Sequence, residues 1–316
     1  MTEAIAVKIE DVCKGYNGTQ VLKEVRLQIR MDEFYVLMGP NGSGKSTLLS
    51  IVAGTSPADS GRIEILSRDV FRESEQAKSY IGYVPQENFC SAFLTGRENL
   101  EYFAGLLGLN KSESKRRIAD LLKMMQLAEH ANRRVAEYSG GMRKKLEVAT
   151  ALLGDVKVLL LDEPTTGLDP GARKDFLNLL SEINDQGTAI LLVTHIGEDA
   201  DAASHVGFMV DGEIVVEGTP DDLKAMSGLT STIVVDATPR TKDLMILLAS
   251  LDEGCIVKEC DDGFRIASDN PMKLIPQIAN ALSKSGYHMH SVDTHAPSLE
   301  DVFHQLTDFS IRGEAQ

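Results

Sequence analysis

The fold is decided by the stretch Gly39-Pro40-Asn41-Gly42-Ser43-Gly44-Lys45-Ser46, which matches G-x-x-x-x-G-K-[ST] in full. It follows the apolar run Phe34 to Met38 and opens an apolar helix at Thr47. The glycines let backbone N–H groups turn inward around phosphate oxygens, and the helix N-terminus adds its positive end. Lys45 is predicted to reach the β- and γ-phosphates of a nucleotide, and the Ser46 hydroxyl to bind Mg²⁺. The stretch therefore predicts a phosphate-binding loop between a strand and a helix.

A second motif places two carboxylates at the end of an apolar run. Val158 to Leu161 is continuously apolar, as in a strand buried on both faces of a parallel sheet, and Asp162 and Glu163 follow it. Ligands of such sheets lie beyond the carboxyl ends of the strands. Asp162 is therefore predicted to bind Mg²⁺, directly or through water, and Glu163 to orient and deprotonate an attacking water molecule.

The first domain is predicted to span residues 1–228. Its short apolar runs alternate with helical patterns, which favours an α/β sheet with helices on its faces. Asp211-Gly212 between two apolar runs predicts a β-hairpin over Val206 to Gly218. Between about residues 87 and 137, a capping box at Thr95 and Glu98 opens a helical insertion of at least two amphipathic helices. The apolar positions of these helices are Leu100, Phe103, Ala104 and Leu107, then Ile118, Leu121, Leu122 and Met125.

A second, smaller domain is predicted over residues 229–316. Its order of strand, helix, two strands, helix and strand indicates a small α+β domain of the ferredoxin-like type. A last helix is expected from the capping box of Ser298 and Asp301. Two roles stay open: a dimerisation or regulatory module, or a lid that packs on its own first domain. The predicted strands are Thr232 to Val235, Ile256 to Cys260, Phe264 to Ala267 and Tyr287 to Val292.

Composition restricts the partners of the chain. Its 316 residues carry 32 Lys and Arg against 47 Asp and Glu, a net charge of −15. Such an acidic chain is a poor candidate for binding nucleic acid or an anionic lipid surface by charge. No apolar run approaches the roughly 20 residues that a bilayer requires, and no signal peptide is visible. A cytoplasmic protein with reduced cysteines is expected, and a membrane role would need a separate chain.

A third motif, Ser139-Gly140-Gly141, opens a helix shortly before the strand that ends in Asp162 and Glu163. A serine hydroxyl and glycine N–H groups at a helix N-terminus make a second anion site. Together with the phosphate loop and the acid pair, this motif resembles the signature of the ATP-binding-cassette (ABC) family. The resemblance covers residues 1–228. It implies an ABC nucleotide-binding domain of the P-loop NTPase fold with a helical subdomain, followed here by the small α+β domain.

The resemblance also implies a composite site. In the family the signature serves the nucleotide of the other subunit, so a head-to-tail homodimer with two ATP molecules is expected. Ser139, Gly140, Gly141 and Asp169, the last in a loop that crosses the dimer interface, would then act in trans. Within one subunit Tyr16 would stack on adenine, Thr47 would join the phosphate loop in binding ATP, and His195 would contact the γ-phosphate. Gln86 would touch the metal and water and sense a membrane partner.

The signature departs from the commonest family pattern, Leu-Ser-Gly-Gly-Gln, at Tyr138 and Met142. Tyr before the serine, and Met142 to Lys145 after the glycines, look like the branch of ABC-2 exporters that includes drug-resistance and sodium-export ATPases. The resemblance implies an ATP-hydrolysing motor on the cytoplasmic face of a polytopic permease. An importer ATPase is the closest alternative, and a soluble ABC ATPase acting on ribosomes or DNA the more distant one.

Two further groups of residues are not expected to bind a ligand. Cysteines and histidines gather in the small domain at Cys255, Cys260, His288, His290, His295 and His304, but their spacing fits no standard zinc module. The acidic run Glu198, Asp199 and Asp201 is expected to form a solvated helix face.

Overall fold

The computed structural model describes residues 4–251, 257–260, 263–268, 270–295 and 297–313. Cys255 and Ile256 lie outside the described residues. The chain divides into two compact units, one formed by residues up to Pro220 together with the chain from Thr307 onward, the other by Asp221–Leu306. The boundary placed at residue 228 from the sequence stays a prediction.

The first unit contains ten strands and seven α-helices in the described part of the chain. The strands are β1 (Ile5–Tyr16), β2 (Thr19–Arg30), β3 (Phe34–Met38), β4 (Ser60–Ile65), β5 (Arg68–Asp69), β6 (Ile81–Val84), β7 (Val158–Asp162), β8 (Ala189–Thr194), β9 (His205–Val210) and β10 (Glu213–Gly218). The helices are α1 (Lys45–Val52), α2 (Ser74–Ser79), α3 (Gly96–Leu106), α4 (Lys111–Met124), α5 (Gly140–Ala151), α6 (Pro170–Asp185) and α7 (Gly197–Ala200). Short 3₁₀ turns lie at Ala128–His130 and Val135–Glu137.

A six-stranded sheet forms the centre of this unit, in the order β10-β9-β3-β8-β7-β6. Strands β3, β7 and β8 are buried along their whole length, as the continuous apolar runs predicted. They are parallel, and Met38 pairs with Thr194 while Asp162 pairs with Val193. The carboxyl ends of the three strands therefore lie at one edge of the sheet. The predicted hairpin is confirmed by the antiparallel pairing of β9 and β10.

A second sheet was not predicted from the sequence. Strands β1 and β2, of 12 residues each, pair antiparallel and join β4 and β5 in the order β2-β1-β4-β5. Several register shifts interrupt the pairing of β1 with β2. A signal for β2 is nevertheless present in the sequence, since the buried Val25, Leu27 and Ile29 alternate with exposed polar residues as in a half-buried strand. One hydrophobic core runs through both sheets and includes Ile9, Leu49 and Leu160.

The helical insertion begins at the predicted capping box, in which Thr95 accepts from the Glu98 backbone N–H and Glu98 accepts from that of Thr95. Leu100 and Ala104 are buried on α3, and Ile118, Leu121, Leu122 and Met125 are buried around α4. The prediction for Leu107 was wrong. The sequence places it on the apolar stripe of the first helix, but α3 ends at Leu106, and Leu107 is 56% exposed.

The elements after Thr219 form a third, antiparallel sheet with helices. They are α8 (Pro220–Ser227), β11 (Ser231–Thr238), α9 (Lys242–Ala249), β12 (Val257–Cys260), β13 (Gly263–Ser268), α10 (Pro271–Lys284), β14 (His288–His295) and α11 (Leu299–Gly313). The strand order is β12-β13-β11-β14, and between β11 and β14 the element order is βαββαβ. Leu244 and Leu248 of α9 and Ile278 and Leu282 of α10 are buried against the sheet. Among the described residues, no helix is long and apolar enough to cross a membrane.

Candidate active site

The phosphate loop connects β3 to α1 and depends on two close backbone approaches. A Cβ on Gly39 would lie 2.2 Å from the Met209 carbonyl oxygen. Gly44, the N-cap of α1, has φ 105°, and a Cβ there would lie 2.9 Å from the Val21 carbonyl oxygen. Only glycine fits both positions. The loop thereby keeps the N-terminus of α1 open for backbone N–H groups to face an anion.

Lys45 is held inside this loop. Its ammonium group donates to the carbonyl oxygens of Gly39 at 2.8 Å and of Pro40 at 2.9 Å. Burial lowers the pKa of Lys45, while the charges of Glu163 and Asp162 oppose that shift. A buried cation with two carboxylates nearby is therefore already in place where a phosphate group would meet α1.

Asp162 ends β7 and contacts the start of α1. Its Oδ1 accepts from the Ser46 hydroxyl at 2.9 Å, and the residue is buried. Burial raises the pKa of Asp162, and the Ser46 hydrogen bond and the Lys45 charge act against that increase. A hydroxyl and a carboxylate side by side are oxygen ligands of the kind that hard divalent cations prefer.

Glu163 is the centre of a polar cluster. Gln86 Nε2 donates to Glu163 Oε2 at 3.1 Å, and His195 Nδ1 lies 3.2 Å from Oε1. The backbone N–H of Glu163 donates to the Val193 carbonyl oxygen at 2.9 Å, which ties the residue to β8. Its φ of 46° lies in the left-handed region, which is unusual for a non-glycine residue. Such strain persists only where the surroundings fix the backbone, and it occurs often at functional sites.

Lys45, Ser46, Gln86 and Glu163 line a cavity of about 490 Å³, and Asp162 and His195 lie outside its lining. Val21 also lines it, although no local signal in the sequence marks this residue: the packing of β2 beside Gly44 brings it there. The lining residues are Val21, Asn41, Gly42, Gly44, Lys45, Ser46, Thr47, Gln86 and Glu163.

Tyr16 does not line this cavity. It stands at the end of β1, is 47% exposed, and has the Lys14 ammonium group 5.2 Å from its ring centroid. The ring therefore offers an accessible face, and its stacking on adenine stays a prediction.

The signature residues lie outside the cavity as well. Ser139 is the N-cap of α5, where its Oγ accepts from the Met142 backbone N–H at 3.2 Å, and it is exposed with Gly140. Since the hydroxyl acts here as an acceptor, its own proton remains available for another ligand. Asp169 caps α6 in the same way, accepting from Gly171 and Ala172 at 3.1 Å each. Both helix N-termini thus face solvent rather than the phosphate loop of their own chain.

Tyr138, one of the two departures from the common signature, has a structural explanation. The side chain is buried, its hydroxyl donates to the His130 carbonyl oxygen at 2.8 Å, and a Cβ on Gly96 would lie 2.3 Å from that hydroxyl. Tyr138 therefore holds the turn before α5 against the start of α3.

A buried ion pair connects α5 with the segment of Gln86. Lys144 Nζ lies 3.0 Å from Glu147 Oε2 and 3.5 Å from the Gln86 carbonyl oxygen, and both charged side chains are buried. Burial raises the pKa of Glu147, and Lys144 opposes that shift. The sequence pattern marks Lys144 only as part of the signature flank, since its pairing with Glu147 and Gln86 depends on the fold.

One prediction was wrong at this site. Asp199, expected on a solvated helix face, is fully buried, and its Oδ2 accepts from the hydroxyls of Thr165 and Thr194. The helix α7 is only four residues long, so the spacing of the acidic run does not describe one continuous face.

The fold and the site define a phosphate-loop ATPase: a helix N-terminus with a buried lysine, beside an acid pair at the end of a parallel strand. Comparison with known proteins agrees. The ABC transporter family matches residues 22–166. The doxorubicin resistance ATP-binding protein DrrA of Mycobacterium tuberculosis is 34% identical over 315 residues, which cover 96% of this chain and 94% of DrrA. The chain belongs to the ATP-binding proteins of the ABC transporter family, and it is an ATPase.

Two further proteins are similar over the first unit. The Nod factor export ATP-binding protein I of Sinorhizobium fredii is 39% identical over 220 residues, covering 69% of this chain and 64% of that protein. The dimeric post-hydrolysis state of the ATP-binding cassette MJ0796, bound to ADP and Pi, is 29% identical with a TM-score of 0.61. It covers 67% of this chain and 98% of the cassette.

Proposed function

We propose that the chain is the motor subunit of an ABC-2 type exporter, acting at the cytoplasmic face of the membrane on a permease encoded as a separate chain. The observation that carries the proposal is the joining of Lys45, Gln86 and Glu163 in one cavity, while the Ser139 helix N-terminus faces outward. Such an arrangement can bind ATP in one chain and complete the site with a second chain. The Nod factor relative supports export as the direction.

ATP lies with its phosphates on the loop from Gly39 to Thr47 and its adenine on Tyr16. Lys45 neutralises the β- and γ-phosphates, and the backbone N–H groups at the start of α1 donate hydrogen bonds to the phosphate oxygens. Burial of Lys45 strengthens its electrostatic interaction, because the effective dielectric constant is lower than in water.

Mg²⁺ fits the residues beside the phosphates. The Ser46 hydroxyl and the Asp162 carboxylate, 2.9 Å apart, would hold it together with the Gln86 side chain. In the described part of the chain, no group of three His, Cys, Asp or Glu side chains could bind a metal alone, so water and phosphate oxygens would supply the other ligands. The ion would neutralise charge that develops on the phosphates.

Glu163 acts as the general base. A carboxylate bonded to Gln86 on one oxygen and to His195 on the other has a fixed orientation, as general base catalysis requires. Glu163 takes a proton from the attacking water, Gln86 orients that water, and His195 contacts the γ-phosphate. Each role depends on an oriented hydrogen bond rather than on charge alone.

The second ATP contact comes from a partner. In a head-to-tail homodimer, Ser139, Gly140, Gly141 and Asp169 of each chain face the nucleotide of the other. Two ATP molecules lie at the interface, and their binding energy closes the dimer. The dimeric state of the MJ0796 cassette supports the formation of a dimer.

The helical insertion is the proposed contact with the permease. It exposes large apolar side chains: Phe93 is 87%, Tyr102 58% and Leu106 66% exposed. Tyr102 and Leu106 are one helical turn apart on α3, and neighbouring exposed apolar side chains are typical of a protein interaction surface. The insertion follows Gln86 directly in the chain, so closure at the nucleotide and movement of the permease can be coupled.

The test is co-purification. The tagged chain, expressed with a candidate polytopic permease from a neighbouring reading frame, is expected in the solubilised membrane complex, and Phe93→Asp with Leu106→Asp should release it without loss of basal ATPase activity. Exposed Phe71→Asp, in the connection between β5 and α2 and outside the helical insertion, is the matched control. A chain that never associates with membranes alongside this protein contradicts the proposal.

For the small unit we propose a dimerisation or regulatory role, with self-association through an edge strand as the concrete form. Strands β12 and β14 are the two edges of its sheet, and an edge offers unpaired N–H and C=O groups to a second copy. Tethering would keep two motors at high local concentration after hydrolysis. Truncation after Gly228 tests this: wild-type ATPase activity, ATP-dependent dimerisation and assembly with the permease in the shortened chain would contradict it.

A further inference from the structure

Asp199 is a fully buried carboxylate with an unusual pair of partners. Its Oδ2 accepts a hydrogen bond from the Thr165 hydroxyl at 2.6 Å and another from the Thr194 hydroxyl at 2.6 Å. Both distances are in the range of charge-assisted O–H···O bonds, which are about twice as strong as neutral ones. One oxygen atom therefore ties together two separate segments of the chain.

The local charge does not explain the burial of this carboxylate. Burial raises the pKa of Asp199, and the nearest compensating cation is Arg173 of α6. Arg173, however, pairs through Nη1 with Glu198, and among the described residues neither Arg173 Nε nor Asp199 Oδ1 has a hydrogen-bond partner. Burying a carboxylate without an ion pair costs free energy, and the hydrogen bonds from the two threonine hydroxyls compensate for part of that cost.

The two threonines belong to the segments that carry the polar cluster. Thr165 is two residues after Glu163, in the connection from β7 to α6, and Thr194 ends β8 directly before His195. The Thr194 hydroxyl oxygen also accepts from the Ile196 backbone N–H at 3.0 Å. The residues on both sides of His195 are thus held by one hydroxyl, and that hydroxyl is held by Asp199.

The same connection includes the strained residue. Glu163 has φ 46°, and its carboxylate lies 3.2 Å from the His195 ring nitrogen. A strained backbone needs surroundings that fix it, and the Asp199 bonds to Thr165 and Thr194 act on both sides of the Glu163–His195 contact.

We propose that Asp199 is a positioning residue for ATP hydrolysis: by binding Thr165 and Thr194 with one oxygen, it fixes the distance and orientation between Glu163 and His195. The proposal rests on the catalytic roles proposed for those two residues. Asp199 touches neither nucleotide nor water in this role, so its removal should affect the rate of hydrolysis and leave ATP binding to the phosphate loop intact.

The first experiment compares Asp199→Ala, Asp199→Asn and a matched control. Asp199→Ala should lower kcat by at least about tenfold, since small misplacements of catalytic groups have effects of this size, with the Kd for a fluorescent ATP analogue changed by less than about twofold. Asp199→Asn should recover most of kcat, because an amide oxygen can also accept two hydroxyl hydrogen bonds. The control is Asp69→Ala, which removes another buried carboxylate that accepts from Phe71 and Arg72 in the antiparallel sheet.

The control separates positioning from stability. Asp69→Ala should lower the urea midpoint of unfolding, as Asp199→Ala does, but kcat per folded molecule should stay at the wild-type value. If Asp199→Ala kept wild-type kcat per folded molecule, or if Asp199→Asn lost as much as Asp199→Ala, the proposal would be overturned.

The second experiment is a double-mutant cycle with His195→Ala, measured by single-turnover hydrolysis. If Asp199 acts through the Glu163–His195 contact, Asp199→Ala should reduce the rate of the His195→Ala variant by less than about threefold, since residues that act as a unit are not additive. A full tenfold loss in both backgrounds would contradict it. Undiminished ATPase activity in Glu163→Gln and His195→Ala would instead overturn the proposed catalytic site itself.

Discussion

Two helix N-termini in the first unit apply the same physics in different settings. Helix α1 begins at Gly44, which has no side chain, and its first turn lines the cavity with Lys45 and Ser46. Helix α5 begins at Ser139, whose side chain caps the helix and lies exposed, and its first turn carries no acidic residue. Both attract anions through their backbone N–H groups. In the proposed function, α1 also has the general base and the oxygen ligands for a metal beside it, whereas α5 would complete the site of a second chain.

The largest loss of activity is expected when the cation at the start of α1 is removed. Lys45→Ala should reduce ATP turnover by at least about 100-fold and weaken ATP binding, because a buried positive charge at the phosphates is lost. Thermal unfolding should change little, since the two hydrogen bonds of the ammonium group are to carbonyl oxygens of the same loop. The exposed Lys174→Ala on α6 is the control, and ATPase assays with isothermal titration measure both effects. If Lys45→Ala hydrolysed ATP at the wild-type rate, the N-terminus of α1 would not be the ATP site.

The next change separates binding from chemistry at α1. Glu163→Gln should slow hydrolysis by about 10²–10⁴-fold, the usual range for general acid–base catalysis, and keep ATP binding. Because ATP then persists, the variant should form a stable dimer with ATP, as seen by light scattering after size exclusion. A monomer that hydrolyses at the wild-type rate is inconsistent with the base role.

A third substitution tests α5 without damaging its cap. Ser139→Asp keeps an equally good N-cap but places a negative charge where the partner's phosphates are expected. It should leave ATP binding to the monomer unchanged and reduce ATPase activity by at least about tenfold. The loss of a single hydrogen-bond donor to the transition state typically lowers kcat by this much or more. Ser139→Asn is the neutral control of similar capping strength. Full activity of Ser139→Asp would mean that this serine only caps the helix.

The smallest effect is expected at the residue before the signature serine. Tyr138→Phe removes the hydrogen bond to the His130 carbonyl oxygen and should lower the free energy of unfolding by about 1 kcal/mol. Urea denaturation measures this. ATPase activity below the unfolding transition should stay at the wild-type value, and a large loss of activity would give Tyr138 a role beyond structure.

The sequence predicts the site well where its parts are adjacent along the chain. Strand β3 begins and ends at the predicted residues Phe34 and Met38, and β7 contains the predicted run Val158 to Leu161, because continuous apolar runs between turn residues are typical of buried strands in a parallel sheet. The loop from Gly39 to Ser46 is likewise set by local glycine chemistry.

What the sequence does not reveal depends on distant contacts. The antiparallel sheet of β1, β2, β4 and β5 forms by pairing across up to about 60 residues, so no local pattern in the sequence reveals its strand order. Asp199 was placed in solvent because its neighbours in sequence are acidic, whereas Thr165, 34 residues away, determines its burial. Val21 reaches the cavity for the same kind of reason.

The most direct test of the shared site mixes two inactive chains. Lys45→Ala and Ser139→Asp chains are combined, and single-turnover hydrolysis is compared with that of each variant alone. In a mixed dimer, the intact phosphate loop of one chain meets the intact Ser139 of the other, so about one quarter of all sites in a random mixture should hydrolyse ATP. A mixture that hydrolyses no more than the sum of its two components would contradict the completion of one chain's site by its partner.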